Sequence, residues 1–204
     1  MQAKGSTIAP WAGSCSKAHM DTPLVDPWCQ RCGLAAARTQ VVQPEVPSGA
    51  TVLFIGRDPG KTEDKGGQPF TGRSGKLLRG MIAALGVPAE QCAFHNVAAC
   101  HTPKDRGPTK DEMRACRVWL RRVLTLRDWK AVVVLGKDAE WAVGEIYPVL
   151  PAGYVGAPHP SAGLRNRASR RTLAGVLRGV AATIGVAGRE PLDRLVTWSG
   201  GIDG

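Results

Sequence analysis

The sequence predicts a three-layer α/β/α domain built around a central, mostly parallel sheet of four strands. Short β-branched and aromatic runs alternate with amphipathic segments, which is the pattern of parallel strands joined by helices. Glycine, proline and polar residues follow these runs directly, as they do where strands end. The 204 residues are enough for one domain with a buried core, and we detect no internal repeat.

Three strands and the first long helix are predicted from local patterns. Residues 52–55, 93–98 and 132–135 are apolar runs with the composition of buried strands. A glycine-rich loop follows the first run. An amphipathic helix comes after that loop, and Gly86 and Pro88 end it.

The helix after the second strand begins with a capping box. Thr109 precedes Glu112 by three residues, so each side chain can accept a hydrogen bond from the other residue's backbone N–H. A short helix ending near Val143 follows the third strand, and residues 150–160 are predicted to be irregular. The last predicted helix has its apolar side chains within residues 173–184, and we find no periodic pattern after it.

The composition indicates a basic protein with a polyanionic partner. A formal charge of +10 favours association with nucleic acid, and an ordinary basic protein is the alternative. Six cysteines without a signal-peptide pattern indicate a reducing compartment, so we expect a cytoplasmic location. No apolar run is long enough to cross a bilayer. We expect a flexible leader at residues 1–26, one domain at 27–186 and a C-terminal tail at 187–204.

Four cysteines are candidate metal ligands. Cys29 and Cys32 have a spacing that lets two thiolates bind one metal, although the motif alone leaves zinc, iron–sulfur and redox chemistry open. Cys100 and Cys116 flank the start of the capped helix and would supply the two missing ligands. The alternative for Cys116 is a small core residue on the apolar side of that helix.

Several polar or aromatic residues follow the predicted strands. Asp58 and Phe70 come after the first strand, Asn96 lies near the end of the second, and His159 comes after the last. Ligands of an open α/β sheet bind outside the carboxyl ends of its strands, so we expect these residues to share one pocket. The arginine-rich segment after His159 contains no acid and predicts a positive surface beside that pocket.

The combination of these motifs resembles the family 4 uracil-DNA glycosylases. The likeness extends over roughly residues 27–184 and is more specific than any single motif. It rests on the following pieces in chain order: Cys29-x-x-Cys32, GRDPG from Gly56, GQPFTGRSG from Gly67, NVAAC from Asn96, Cys116, and HPSAGLR from His159.

The resemblance implies a glycosylase-like fold, a cofactor and roles for the site residues. It assigns a 4Fe–4S cluster to the four cysteines named above, with zinc as the alternative metal. It makes Phe70 the aromatic on which the base stacks, Asn96 the amide that reads its edge, and His159 the group that assists the leaving base. These roles agree with the needs of an extruded base, which requires a ring to stack on and polar groups for its edge.

The first loop departs from the family pattern. Family 4 members usually have GEAPG, whereas this chain has Arg57 and Asp58 in place of Glu and Ala. Family 1 members have the loop GQDPYH. Asp58 aligns with the aspartate that activates water in that family. Gly60 aligns with the Tyr that, in that family, blocks substituents on C5 of the pyrimidine ring. We therefore expect Gly56, Arg57 and Gly60 to contact the base. We expect a pocket that accepts uracil or a C5-modified pyrimidine, including modified bases of phage DNA.

The last loop and helix are expected to contact DNA. Family members insert this loop into DNA, so Leu164 is a candidate wedge, with packing on the domain as its alternative role. The other candidate DNA contacts are Ser161, Arg165, Arg167, Arg170 and Arg171, of which the arginines would meet phosphates.

The resulting prediction is a monofunctional DNA glycosylase. It would flip a pyrimidine out of DNA, hydrolyse the N-glycosidic bond with Asp58 and His159 as catalytic residues, and leave an abasic site. We expect a monomer whose partner is DNA and not a membrane. The alternative is a catalytically silent DNA-binding or regulatory module that retains the fold and the cluster.

Overall fold

A computed structural model describes residues 23–187 and 192–197. Most of the predicted leader (1–22) and parts of the predicted tail (188–191 and 198–204) lie outside the described residues. Within the described part, no helix is long and apolar enough to cross a membrane.

The four-stranded sheet is confirmed, and all its neighbouring strands are parallel. The strand order is β2-β1-β3-β4. The strands are β1 Val52–Gly56, β2 Cys92–Asn96, β3 Ala131–Leu135 and β4 Tyr154–Ala157. The first three are completely buried and coincide to within one residue with the predicted apolar runs, except that β2, which begins one residue before the predicted run 93–98, ends two residues before it does.

Helices cover both faces of the sheet, which gives the predicted three layers. The helices are α1 Lys61–Gly66, α2 Arg73–Ala84, α3 Lys110–Leu124, α4 Lys137–Gly144, α5 Pro160–Arg165, α6 Arg167–Thr183 and α7 Leu192–Thr197. One core joins one sheet face to α2, α6 and α7, and a second core joins the opposite face to α3 and α4. Successive strand residues alternate between the two cores, as Leu53 and Phe54 do.

The capping box at the start of α3 is confirmed. Thr109 Oγ1 accepts a hydrogen bond from the Glu112 backbone N–H at 3.2 Å, and the Glu112 carboxylate accepts one from the Thr109 N–H at 2.7 Å. The Arg106 guanidinium lowers the pKa of Glu112 to about 2, so the carboxylate stays charged next to the positive end of the helix.

Four short elements were not anticipated. The segment 150–160, predicted to be irregular, contains β4, which is an edge strand with a partly exposed pattern and therefore lacks a continuous apolar run. The helices α1 and α5 each have only six residues and lie where loops were expected. The helix α7 lies in the C-terminal segment in which we find no periodic pattern, yet its Leu195 and Val196 are buried in the core.

A tight turn before α2 holds Phe70 in place. Phe70 has a φ of 56°, which is unusual for a residue with a side chain. Arg79 Nε donates to the Phe70 carbonyl oxygen at 3.0 Å, and Arg79 also pairs with Glu45 at 2.7 Å. The turn packs so closely on α2 that a Cβ at Gly75 would lie 2.1 Å from the Phe70 carbonyl carbon. Gly75 is therefore required for the position of Phe70.

Replacing Gly75 with alanine should destabilise the protein. Because the added methyl group meets backbone atoms, α2 or the Phe70 turn must shift, and such overpacking costs about 1–3 kcal/mol. Urea denaturation measures the free energy of unfolding. The matched control is Gly175→Ala in α6, where a Cβ has no atom within 4 Å, so no loss is expected. Equal stability of Gly75→Ala and wild type would contradict the packing described.

Candidate active site and cysteine cavity

A cavity of about 420 Å³ opens at the carboxyl ends of the strands. Its volume lies within the range of ligand-binding clefts. It contains the four residues predicted to converge, namely Asp58, Phe70, Asn96 and His159. Predicted contacts that also line it are Arg57, Gly60, Ser161 and Leu164.

Phe70 and Asn96 meet above the end of β1. Gly56 is paired in register with Asn96, and a Cβ at Gly56 would lie 2.5 Å from Asn96 Oδ1 and 2.6 Å from Phe70 Cζ. Only glycine leaves room for this approach. The ring and the amide thus form adjacent walls of the cavity, and Gly56 acts by having no side chain.

Asp58 is a buried carboxylate with two hydrogen-bond donors. Its side chain is 7% exposed, one oxygen accepts from Arg57 Nε, and the other accepts from Thr102 Oγ1 at 3.0 Å. Burial raises the pKa of Asp58 above its ordinary value, and the Arg57 guanidinium opposes that rise. Arg57 is therefore the main group that favours the charged form of Asp58, and only that form of a carboxyl group can accept a proton.

His159 is held as a neutral imidazole. Burial, followed by the charge of Arg57, lowers its pKa to about 4. The Ser161 backbone N–H donates to His159 Nδ1 at 3.2 Å, and Ser161 Oγ lies 2.8 Å from the same nitrogen. Since Nδ1 accepts, the single ring proton belongs on Nε2. His159 thus presents an N–H donor without carrying charge.

Arg57 and Gly60 have neighbours that the sequence did not indicate. Arg57 pairs with Asp58 and lies 3.8 Å from Asp138 at the start of α4. A Cβ at Gly60 would lie 2.8 Å from Glu63 Oε2, so the space beside Gly60 is bounded by a carboxylate. Glu63 is fixed by the Gly72 backbone N–H, which donates to it at 2.9 Å. This side of the cavity has a polar wall and not the open gap that the loop sequence suggested.

His101 and Thr102 contribute to the site without having been predicted. Thr102 is fully buried and donates to Asp58, while His101 Nδ1 lies 2.9 Å from the Pro59 carbonyl oxygen. That oxygen can only accept, so Nδ1 carries a proton. Both residues directly follow Cys100, and this adjacency to a candidate metal ligand was the one available signal.

The predicted DNA-contacting residues occupy different environments. Arg165 and Arg167 are exposed, whereas Arg170 Nε donates to the Gly163 carbonyl at 2.8 Å and its Nη1 to the Val196 carbonyl at 3.2 Å. Arg170 therefore connects α5, α6 and α7. Leu164 is partly buried against the main core while also lining the cavity. Arg171, the remaining candidate, lies on α6.

The four candidate metal ligands line a second, smaller cavity. Cys29 and Cys32 belong to the segment before β1, which we call the N-terminal arm. Cys100 belongs to the segment after β2, and Cys116 belongs to α3. Burial raises the pKa of the Cys116 thiol to about 12 and also raises that of Cys100. Two N–H donors already reach these sulfurs. Ala99 N–H donates to Cys116 Sγ at 3.4 Å, and Arg38 Nη1 donates to Cys100 Sγ at 3.6 Å.

The lining of the cysteine cavity is that expected for a group bound through sulfur and not that of a purely apolar void. Its wall also includes Trp119, whose Nε1 is buried without a hydrogen-bond partner in the described part of the chain. Across residues 23–187 and 192–197, no group of three or more His, Cys, Asp or Glu side chains has an arrangement that could hold a metal ion. The cavity itself is lined by the four thiols.

Comparison with known proteins agrees with the geometry. A family model described as the uracil DNA glycosylase superfamily matches residues 43–178. The chain is 40% identical over 112 residues to the type-4 uracil-DNA glycosylase of Sulfurisphaera tokodaii, covering 54% of this chain and 51% of that protein. It is 36% identical over 111 residues to the proteins of the same name from Archaeoglobus fulgidus and Thermotoga maritima. Those matches cover 54% of this chain and 56% and 58% of the two relatives.

These matches span little more than half the length of the curated relatives. The superfamily model nevertheless includes all four strands and every residue named above in the cavity at the carboxyl ends of the strands. The chain belongs to the uracil DNA glycosylase superfamily.

Proposed function

We propose that this protein is a DNA glycosylase that hydrolyses the N-glycosidic bond of an extruded pyrimidine nucleotide. The observation that carries the proposal is the convergence of Asp58, Phe70, Asn96 and His159 on one cavity. An enzyme that acts on a base must take it out of the stack, and these side chains supply a ring, an amide, an acid and a donor. The relatives named type-4 uracil-DNA glycosylase support the same class of reaction.

Each side chain has a distinct part in the proposed reaction. The base stacks on Phe70, while Asn96 pairs with O4 and N3–H of uracil. As the bond breaks, His159 Nε2–H donates to O2, where negative charge builds. Asp58 orients a water molecule towards C1′ and stabilises the positive charge on the sugar. The C1′–N1 bond breaks with its electron pair on the base, the water oxygen bonds to C1′, and the proton that the water loses protonates the departing base anion.

We also propose that Cys29, Cys32, Cys100 and Cys116 hold a 4Fe–4S cluster. The four thiols share one cavity, and two N–H donors reach their sulfurs. Such a cluster would tie the N-terminal arm to α3 and to the segment after β2, because its ligands come from all three. Zinc at the same four thiols is the alternative metal.

We further propose that the cavity accepts a pyrimidine with a substituent at C5, including modified bases of phage DNA. Support comes from Gly60, which carries no blocking ring, and from the polar groups of Arg57 and Glu63 beside it. These groups can bind a polar substituent but would not favour a large apolar one.

Base release from defined oligonucleotides tests the proposed activity. Single-stranded and duplex DNA containing uracil, thymine or 5-hydroxymethyluracil is incubated with the protein, and abasic sites are scored as alkali-labile breaks. We expect wild type to release uracil and at least one C5-substituted base. Asp58→Asn should lower the rate by about 10²–10⁴-fold because it removes the carboxylate that orients water.

The outcomes separate three readings of the protein. Release of uracil without any larger base would refute the C5 proposal and leave the glycosylase proposal intact. DNA binding without release of any base would favour a silent binding module. Asp58→Asn should bind DNA as wild type does, so a parallel loss of binding would instead indicate a damaged fold.

The pH dependence of kcat should change when the ion pair between Arg57 and Asp58 is altered. Removing the Arg57 charge by Arg57→Gln takes away the main group that opposes the raised pKa of Asp58. A higher pKa leaves less carboxylate ionised at a given acidic pH, so the acid limb of the kcat profile should move to higher pH. Arg57→Lys keeps a positive charge and should lie between wild type and Arg57→Gln. Superimposable profiles for all three proteins would show that Arg57 does not control Asp58.

Replacing one cysteine of the cavity should cause the protein to lose its bound metal. We expect Cys29→Ser to lose bound iron and its visible absorption after anaerobic purification, and to unfold at lower temperature than wild type. The matched control is Cys92→Ala, since Cys92 is a buried cysteine on β2 that lies outside the cavity. Cys92→Ala should keep its iron. Bound zinc and a colourless wild type would refute the iron–sulfur proposal.

A further inference from the structure

Trp119 is a polar group in the cysteine cavity that the four proposed ligands do not use. It lies three residues after Cys116 on α3, so both side chains are on the same side of that helix. Its ring lines the cavity together with all four cysteines. The Nε1 atom is buried and has no hydrogen-bond partner among residues 23–187 and 192–197.

A buried N–H without an acceptor is costly, so its partner has to be identified. Native proteins satisfy almost all such groups. Trp129 shows the usual arrangement, because its Nε1–H donates to the carbonyl oxygens of Val123 at 3.3 Å and Leu124 at 3.2 Å. The walls around Trp119 include the apolar side chains of Val25, Leu34 and Val41, which cannot accept a hydrogen bond.

Two polar contacts of this cavity end on sulfur, whereas Arg31 Nε donates to the Ala115 carbonyl oxygen at 3.1 Å. A backbone N–H from Ala99 reaches Cys116, and a guanidinium N–H from Arg38 reaches Cys100. Donors around an iron–sulfur cluster characteristically bond to its sulfurs, since these carry most of the negative charge. A third donor on the same cavity therefore has an acceptor of the same kind once the cluster is bound.

We propose that Trp119 Nε1–H donates a hydrogen bond to a sulfur of the cluster held by Cys29, Cys32, Cys100 and Cys116. This inference rests on the proposed cluster. The bond withdraws electron density from the sulfur and helps to retain the metal, so Trp119 is a positioning residue for the cofactor. It does not line the cavity that contains Asp58 and His159.

The test compares Trp119→Phe with wild-type holoprotein purified anaerobically. Phenylalanine keeps an aromatic ring but removes the N–H. We expect the Fe–S stretching bands in resonance Raman spectra to shift, and iron to be released to a chelator roughly 10-fold faster, as is typical when an outer-shell partner is lost. Trp129→Phe is the matched control, because it removes an indole N–H that bonds only to backbone oxygens in the described structure.

The outcomes distinguish this inference from the proposed cluster itself. One outcome is that wild type contains iron while Trp119→Phe has the same Fe–S bands and the same rate of iron release. That result would refute the hydrogen bond but not the proposed cluster. Wild type without iron and sulfide would overturn both. If Trp119→Phe does not fold, wild type labelled with 15N at its indole nitrogens and chemically reduced provides a second readout, because a hydrogen bond from Trp119 Nε1–H to the cluster couples that nitrogen to the electron spin. A 15N hyperfine coupling that persists in Trp129→Phe supports the bond, and no coupling refutes it.

Discussion

The close approach of three chain segments at Gly56 is the constraint on which the active site depends. The backbone at the end of β1 touches both the Asn96 amide and the Phe70 ring, and a single added carbon would overlap both. Each partner is fixed separately, Asn96 by the parallel register and Phe70 by the Arg79 hydrogen bond and the packing against Gly75. The ring and the amide are therefore in position before any ligand arrives, so little ordering cost remains for binding.

A single short segment connects this site to the cysteine cavity. Val97 and Ala98 donate backbone hydrogen bonds to the carbonyls of Gly56 at 2.9 Å and Arg57 at 3.0 Å, and Cys100 then enters the cysteine cavity. Thr102, two residues later, donates to Asp58. The position of the proposed catalytic carboxylate thus depends on the same backbone that carries a proposed metal ligand. A cofactor bound by the four cysteines would therefore influence catalysis by fixing the position of Asp58, without contacting the substrate.

The sequence predicted the features that depend on local pattern. The buried strands, the α3 capping box and the convergence of strand-end residues follow from apolar runs, from residue spacing and from parallel topology. Features that depend on tertiary contacts were not predictable in this way. The strand β4 lacks an apolar run because it is an edge strand, and the Arg170 partners Gly163 and Val196 lie in two separate helices. The Glu63 carboxylate beside Gly60 likewise results from a helix of only six residues.

The segment between Cys32 and β1 contacts β2, which forms one edge of the sheet. Glu45 and Phe94 exchange two backbone hydrogen bonds, at 2.8 and 2.9 Å, and Val42 donates to the Ala99 carbonyl at 2.9 Å. The Glu45 contacts occupy the backbone N–H and C=O of Phe94 on β2, and unpaired groups of an edge strand are a template for pairing with other chains. The segment before β1 thus shields Phe94, in the middle of β2, from backbone pairing with another chain.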